Sequence, residues 1–322
     1  VETSAFIASK LPAFGGIEIS HPSGTSVVGR LRGARPGPTI AIRADFDALP
    51  IREETGLPYA SRRDGVMHAC GHDGHTAILL GTASVLSRLR EEIAGEVRFL
   101  FENGEETPPG GAAGMIAGGA MDGVDRVIGL HLWSPYEIGT VQVNSRRVMA
   151  ACDVFRIEVV GKGEFHAGRS VGVIPASASI GGGTNTFDAG VRDRIERRIG
   201  EIAAGICAAH GATCIYEYRR IYDAVVNDAP TAGIVRDVAT GLFDPRGVGE
   251  MPPIMPGEDF SAFGHEAPSC FVLLGAGNAE KGITAAHHDA AFQIDEYALA
   301  MGVRLFTPAA LKLLAETPPS RN

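Results

Sequence analysis

The 322-residue sequence predicts an α/β sheet domain interrupted by a smaller α+β unit. Three observations predict it. Apolar strands and amphipathic helices alternate along roughly the first 150 residues; imidazole- and carboxylate-rich stretches fall where those strands end; and a strand, helix, strand block breaks the pattern before it resumes.

In chain order, Ser4 to Leu11 reads as a helix already under way. Gly29 to Gly33 and Thr39 to Arg43 read as two strands around a Gly/Pro turn, and Thr76 to Leu89 carries helical spacing of Ala, Leu and Val. Glu96 to Phe101 is an apolar strand ending in an acidic loop. Met115 to Met121 predicts a small-residue helix, and Arg126 to Leu130 another strand. Cys152 to Val160 alternates as a half-buried strand; Ala189 to His210 is amphipathic, with Ile195, Ile199, Ile202 and Ile206 at helical spacing; Cys214 to Tyr218 returns as a strand. The larger domain then resumes, with a strand over Cys270 to Leu274 and a helix over Glu296 to Leu314. The expected division is 1–150 with 227–322 for the larger domain and 151–226 for the insertion.

Composition excludes several classes. With 45% hydrophobic and 21% charged residues, disorder is out, and a formal charge of −9 without a basic block argues against a nucleic-acid partner and for a small molecule. Apolar runs such as Pro38 to Ile42 and Val97 to Phe101 are far shorter than the roughly 20 residues a membrane span needs, so no membrane segment is expected. Cys70, Cys152, Cys207, Cys214 and Cys270 are odd in number, dispersed and without Cys-x-x-Cys spacing, which fits a reducing cytoplasm. Val1 to Phe14 has neither the basic start nor the apolar core of a signal peptide, and the missing Met places the expected true start upstream.

The densest chemistry is Met67-His68-Ala69-Cys70-Gly71-His72-Asp73-Gly74-His75, immediately before a helix. Thiolate and imidazole both suit borderline metals, and Gly71 permits the sharp bend that would aim Cys70 and His72 at one point. The strand Phe99 to Glu102 runs into the adjacent acids Glu105 and Glu106. Such a pair alone is more often a solvated loop, but metal-assisted hydrolysis needs one carboxylate on the cation and another to move a proton from water to the leaving amine. His131 ends an apolar strand beside the single Trp, where a hydrogen-bonded core imidazole is the commoner explanation; His287 and His288 form a later pair. Asp45 and Asp47 lie two apart at a strand end and should share a face, either orienting a ligating imidazole or adding local charge.

Together and in this order, these segments resemble the metal-dependent amidohydrolases that include aminoacylases, bacterial hippurate hydrolases and plant indole-acetyl-amino-acid hydrolases. The resemblance runs through Arg43 to Pro50, His68 to His75, Gly104-Glu105-Glu106, Gly129 to Trp133, Pro256 to Ser261 and the C-terminal His motif, nearly the whole chain. It implies a zinc-peptidase-like catalytic domain with an inserted ferredoxin-like lid and dimerisation domain. Two divalent metal ions, zinc, manganese, cobalt or nickel, would be held by Cys70, His72, Glu106, His131 and His288, with Glu105 as general acid/base. His288 is carried over because Phe292 lies four residues on, with His287 as fallback; Ala290 stands where a Pro is usual. His166, in a Gly-rich element beginning at Gly161, would help polarise the substrate carbonyl.

After His166 the family runs some tens of residues further, whereas Gly172-Val173-Ile174-Pro175 follows here almost at once, Gly172 replaces an Asn and Asn185 an Arg; the inserted domain is expected to be incomplete. The implied reaction is hydrolysis of the amide bond of N-acyl amino acids, by a homodimer or higher homo-oligomer. A dipeptidase or aminopeptidase on the same scaffold is the alternative, and a non-catalytic metal-binding protein a further one that Glu105 argues against.

Overall fold

Walking along the chain, a computed structural model describing residues 1–160 and 177–316 has α1 (Glu2–Ala13), β1 (Ile17–Ser20), β2 (Val27–Arg32), β3 (Arg35–Asp45), α2 (His72–Arg88), β4 (Ala94–Glu102), α3 (Ala112–Ala117), β5 (Arg126–Glu137) and β6 (Val141–Gln142). There follow β7 (Arg147–Met149), β8 (Ala151–Val160), β9 (Ser177–Thr186), α4 (Ala189–Ala209), β10 (Thr213–Tyr222), β11 (Val225–Val226), α5 (Ala229–Leu242), β12 (Val248–Gly249), α6 (Phe260–Glu266), β13 (Ser269–Gly277) and α7 (Tyr297–Ala315). Two compact units result: residues 1–148, 226–252 and from 259 onward, and residues 149–225 with 253–258. His166 and the Gly172 to Pro175 element lie outside the described residues.

The first unit is built on an eight-stranded mixed sheet in the order β1-β2-β4-β3-β5-β13-β6-β12. Its centre, β4-β3-β5-β13, is parallel throughout. Parallel strands are covered on both faces, which is why Val97 to Phe101 and Cys270 to Leu274 read as unbroken apolar runs and are buried end to end. Parallel direction also brings the carboxyl ends of β3 and β4 to one edge, where Asp45 and Glu102 are register partners. In sheets of this kind ligands bind at that edge.

One face is covered by α2 and α7, which approach closely: a Cβ on Gly302 would sit 2.5 Å from Ile78 Cδ1, so only glycine fits there. By length and composition α7 is apolar enough to cross a bilayer, but Ala298, Met301, Leu305, Phe306, Ala309 and Leu313 are buried in the core, which explains its apolarity without a membrane. Truncating one of these side chains, such as Leu305→Ala, would cost about 2–5 kcal/mol through lost contact and the cavity left behind.

The second unit is an antiparallel sheet, β10-β8-β9, with α4. Arg192 of α4 is tied to the buried Asp153 of β8 (Nε to Oδ2, 2.7 Å), and Tyr218 donates to the same carboxylate at 2.7 Å. Gly182 of β9 lies against the Phe155 ring, 2.8 Å from where its Cβ would be. Of the α4 isoleucine stripe, Ile195 and Ile199 are partly covered, whereas Ile202 and Ile206 are 50% and 58% exposed.

Two local expectations change. The helix expected from Thr76 starts at His72, because Gly71 takes φ +86° and turns the chain directly into α2. Asp45 and Asp47 do not share a strand face: β3 ends at Asp45, the Phe46 N–H is captured by the Glu102 carbonyl at 2.9 Å, and Asp47 projects from the loop beyond.

Candidate metal centre

The left-handed Gly71 places Cys70 at the end of a loop and His72 in the first turn of α2, so adjacent segments of backbone present a thiol and an imidazole to one region. His131 comes from within β5, Glu105 and Glu106 from the loop after β4, and His287 and His288 from the segment before α7. His288 has φ +67°, the one non-glycine residue in the left-handed region among the described residues. That conformation is costly for a histidine and occurs where surrounding contacts impose it.

These side chains converge. Cys70 Sγ lies 3.4 Å from His131 Nε2, His288 Nε2 lies 3.0 Å from Glu106 Oε1, and His72 Nε2 lies 3.9 Å from the same oxygen. Ligand atoms of Cys70, Glu106 and His288 fall within 4.8 Å of one another, as do those of His72, Glu105 and Glu106 and those of Cys70, His131 and His287. The six residues that the resemblance implies as metal ligands or acid/base within the described part, Cys70, His72, Glu105, Glu106, His131 and His288, therefore lie in one nest. Glu105, 7% exposed, sits within it.

Hydrogen bonding decides which nitrogens remain available. His72 Nδ1 donates to Asp47 Oδ1 (3.1 Å), leaving Nε2, which is buried and has no hydrogen-bond partner. His131 Nδ1 donates to the Leu132 carbonyl (2.8 Å), again leaving Nε2 turned toward Cys70. His75 is different: Nδ1 donates to Asp45 (2.6 Å) and Nε2 accepts from the Leu132 N–H (2.9 Å), so both nitrogens are used and it supplies no ligand. His287 accepts from the Ser134 N–H at 3.3 Å, stacks on Trp133 with centroids 4.4 Å apart, and turns Nδ1 to Cys70 Sγ at 3.8 Å.

Asp47 also accepts from the Glu106 N–H (3.0 Å), so one carboxylate fixes both His72 and the Glu106 backbone. Carboxylates behind ligating imidazoles commonly set tautomer and aim in this way. Asp45, fully buried, holds His75 and stands 3.6 Å from His72 Nε2. Beneath it lies a layer the sequence reading did not identify. Arg43, 1% exposed, donates to Asp45 (2.7 Å), Glu102 (2.7 Å) and Asp259 (2.9 Å).

The electrostatics divide the nest. Burial opposes charge on His72, but Asp45, the hydrogen bond to Asp47 and Glu106 outweigh it and lift the imidazole to about 9. Burial, with repulsion from His75, His288 and His72, pushes His287 down to about 3, and burial with neighbouring imidazoles holds His131 well below its ordinary value. Burial, then Glu106 and Glu105, drives the Cys70 thiol well up. His72 and Cys70 must therefore give up protons to act as donors, and a divalent cation is what would take their place. One thiol, imidazoles with a free nitrogen and a carboxylate fit cations of borderline softness; the unpartnered His72 Nε2 is the observation that asks for one.

A cleft of about 660 Å³ adjoins this region, lined in part by Phe46, Asp47, Met67, His68, Asn103 and Phe292. It reaches the nest only through Asp47. None of Cys70, His72, Glu105, Glu106, His131 or His288 lines it, so the chemistry is not placed there.

Comparison with known proteins finds hydrolases and a dinuclear metal-binding peptidase among its relatives. A family model described as peptidase family M20/M25/M40 matches residues 41–312. An N-acyl-L-amino acid amidohydrolase of Geobacillus stearothermophilus is 41% identical over 268 residues, 70% of this chain and 72% of that protein. Thermostable carboxypeptidase 1 of Saccharolobus solfataricus is 33% identical across 96% of this chain and 90% of its own length. The crystal structure of Bacillus subtilis YXEP, a dinuclear metal binding peptidase of the M20 family, matches with a TM-score of 0.86 at 34% identity, covering 98% of this chain and 93% of that one.

Proposed function

The chain belongs to peptidase family M20/M25/M40, and from that membership we propose that this hydrolase cleaves the amide bond of N-acyl amino acids, releasing a carboxylate and a free amino acid. The observation that carries the reading is Glu105, a buried carboxylate within 4.8 Å of donor atoms on His72 and Glu106. Cys70, His72, Glu106, His131 and His288 would hold two divalent cations, zinc, manganese, cobalt or nickel. When bound, these supply Lewis acidity that acidifies water and polarises the scissile carbonyl. Glu105 takes the proton of the attacking water and returns it to the amine nitrogen as the C–N bond breaks, ending in its starting state. Asp47 keeps His72 in the tautomer with Nε2 free, and Asp45 keeps His75 packed behind the nest.

The relative named N-acyl-L-amino acid amidohydrolase supports the substrate class. The relative named thermostable carboxypeptidase 1 favours a second reading, peptide hydrolysis on the same scaffold. Amine release from N-acetyl, N-benzoyl and indole-acetyl amino acids, alongside free dipeptides, separates the two: the proposal expects turnover of the acylated set, and dipeptide-only turnover would replace it.

His166, which lies outside the described residues, is proposed from the family resemblance alone as a carbonyl-polarising imidazole. The inserted block at 151–226 is proposed as lid and dimerisation element, supported by the exposed Ile202 and Ile206 of α4; sedimentation at micromolar concentration should give a dimer or higher homo-oligomer. Five cysteines present as free thiols support a cytoplasmic location.

A further inference from the structure

Three carboxylates surround one guanidinium at the end of the central strands. Arg43 Nε donates to Glu102 Oε2, Nη1 to Asp45 Oδ2 and Nη2 to Asp259 Oδ1, with side-chain exposures between 0% and 2%. One positive charge cannot neutralise three buried negatives, so the remaining oxygens decide the charge state. Asp45 Oδ1 receives His75 Nδ1 at 2.6 Å, and Asp259 Oδ2 receives the Ala112 N–H at 3.1 Å. Glu102 Oε1 is buried and receives no donor. Asp259 shares the Arg43 guanidinium with Glu102 and is thereby the neighbouring carboxylate.

We propose that Glu102 is held as the neutral carboxylic acid at neutral pH, donating from Oε1 to Asp259 while Oε2 accepts from Arg43. Glu102 is then a positioning residue. Its proton turns a repulsive contact into a bridge that joins the ends of β3 and β4 to the start of α6 and keeps Arg43, and through it Asp45, aimed at His75. The charged groups nearest it are Arg43 and Asp45 from β3 and Asp259 before α6, with Glu105 and Glu258 within 4.8 Å of Asp259; the loop at 110–112 presents glycine and alanine backbone, and Gly111 lies so close that a Cβ would stand 3.0 Å from Glu102 Cγ. Burial and Asp259 push the Glu102 carboxyl well above its ordinary 4.5, against the opposing pull of Arg43. The inference concerns the fold beneath the nest and stands whichever amide the enzyme cleaves.

Glu102→Gln imitates the neutral acid, with an amide N–H₂ for Asp259 and a carbonyl for Arg43. A carboxyl whose folded pKa is raised lends its full stability below the unfolded value near 4.5 and loses it as pH rises toward the folded value. Urea unfolding of wild type and Glu102→Gln should therefore diverge in favour of the variant, the ratio of unfolding constants growing about tenfold per pH unit between pH 5 and 7. Infrared spectra at pH 7 should show a protonated-carboxyl band in wild type that the variant lacks. A Glu102→Gln variant that fails to fold, or is destabilised by a pH-independent amount with no band lost, would overturn the proposal. Glu102→Ala should unfold more readily than either, and rescue by Gln at that position separates the bridge from mere side-chain volume.

Discussion

The nest and the layer beneath it are built from the same residue types in opposite ways. In the nest, His72 and His131 each spend one ring nitrogen on a hydrogen bond and turn the other inward, His131 Nε2 to Cys70 Sγ and His72 Nε2 to no partner. One layer down, His75 spends both nitrogens and Arg43 is surrounded by carboxylates. Unsatisfied donors and acceptors weaken a fold and create a binding site; satisfied ones do the reverse. The difference predicts that changes in the nest remove activity with little loss of fold, whereas changes beneath it remove the fold.

The largest expected effect is on chemistry. Glu105→Gln should lower turnover by about 10²–10⁴-fold, the range typical of a lost general acid/base, with metal content by atomic emission unchanged. Cys70→Ala, by contrast, should lower metal content and turnover together. Arg43→Met should spare neither, because it strands buried carboxylates; a loss of about 3–5 kcal/mol in urea unfolding is expected. Asp47→Asn tests the boundary between the layers: the fold should persist, and metal affinity should fall about 10–100-fold as His72 loses its orienting partner.

A pH titration sharpens the same contrast. With the His72 folded value raised to about 9, the metal-free fold gains stability from the protonated ring that is fully present below its ordinary 6.5 and lost as pH rises through about 9. Cation binding needs that proton gone. Apparent metal affinity should accordingly increase with pH through about 9, and continue to increase above it while the Cys70 thiol keeps its proton, with protons released on binding that calorimetry in two buffers can count. At the small end, Asp244→Asn should leave the urea midpoint essentially unchanged, since its pair with Arg246 is exposed on the surface.

How far each layer was legible in the sequence follows from the same difference. Ligand chemistry concentrates rare residue types at short spacing, so His68 to His75 and Glu105-Glu106 stand out before any fold is known. The Arg43 layer is assembled from positions more than 50 and 200 residues apart, each an ordinary polar strand or helix end, and only the parallel register of β3 with β4 brings Asp45 beside Glu102. Most strands and helices were legible by period. The exceptions have local reasons. β9 carries Gly181, Gly182 and Gly183, which have no strand preference, and is held by pairing along the whole of β8. α5 has start signals in Asp228, which caps Thr231, and Pro230, but its two internal glycines dilute the helical pattern that packing on α7 and β13 restores.

The most direct test of the central claim is amine release from N-acyl amino acids by metal-stripped protein, before and after zinc, manganese, cobalt or nickel is restored, in wild type and Glu105→Gln side by side. Turnover should return with metal in wild type and remain about 10²–10⁴-fold lower in the variant at equal metal loading. Near-normal turnover by Glu105→Gln would contradict that claim.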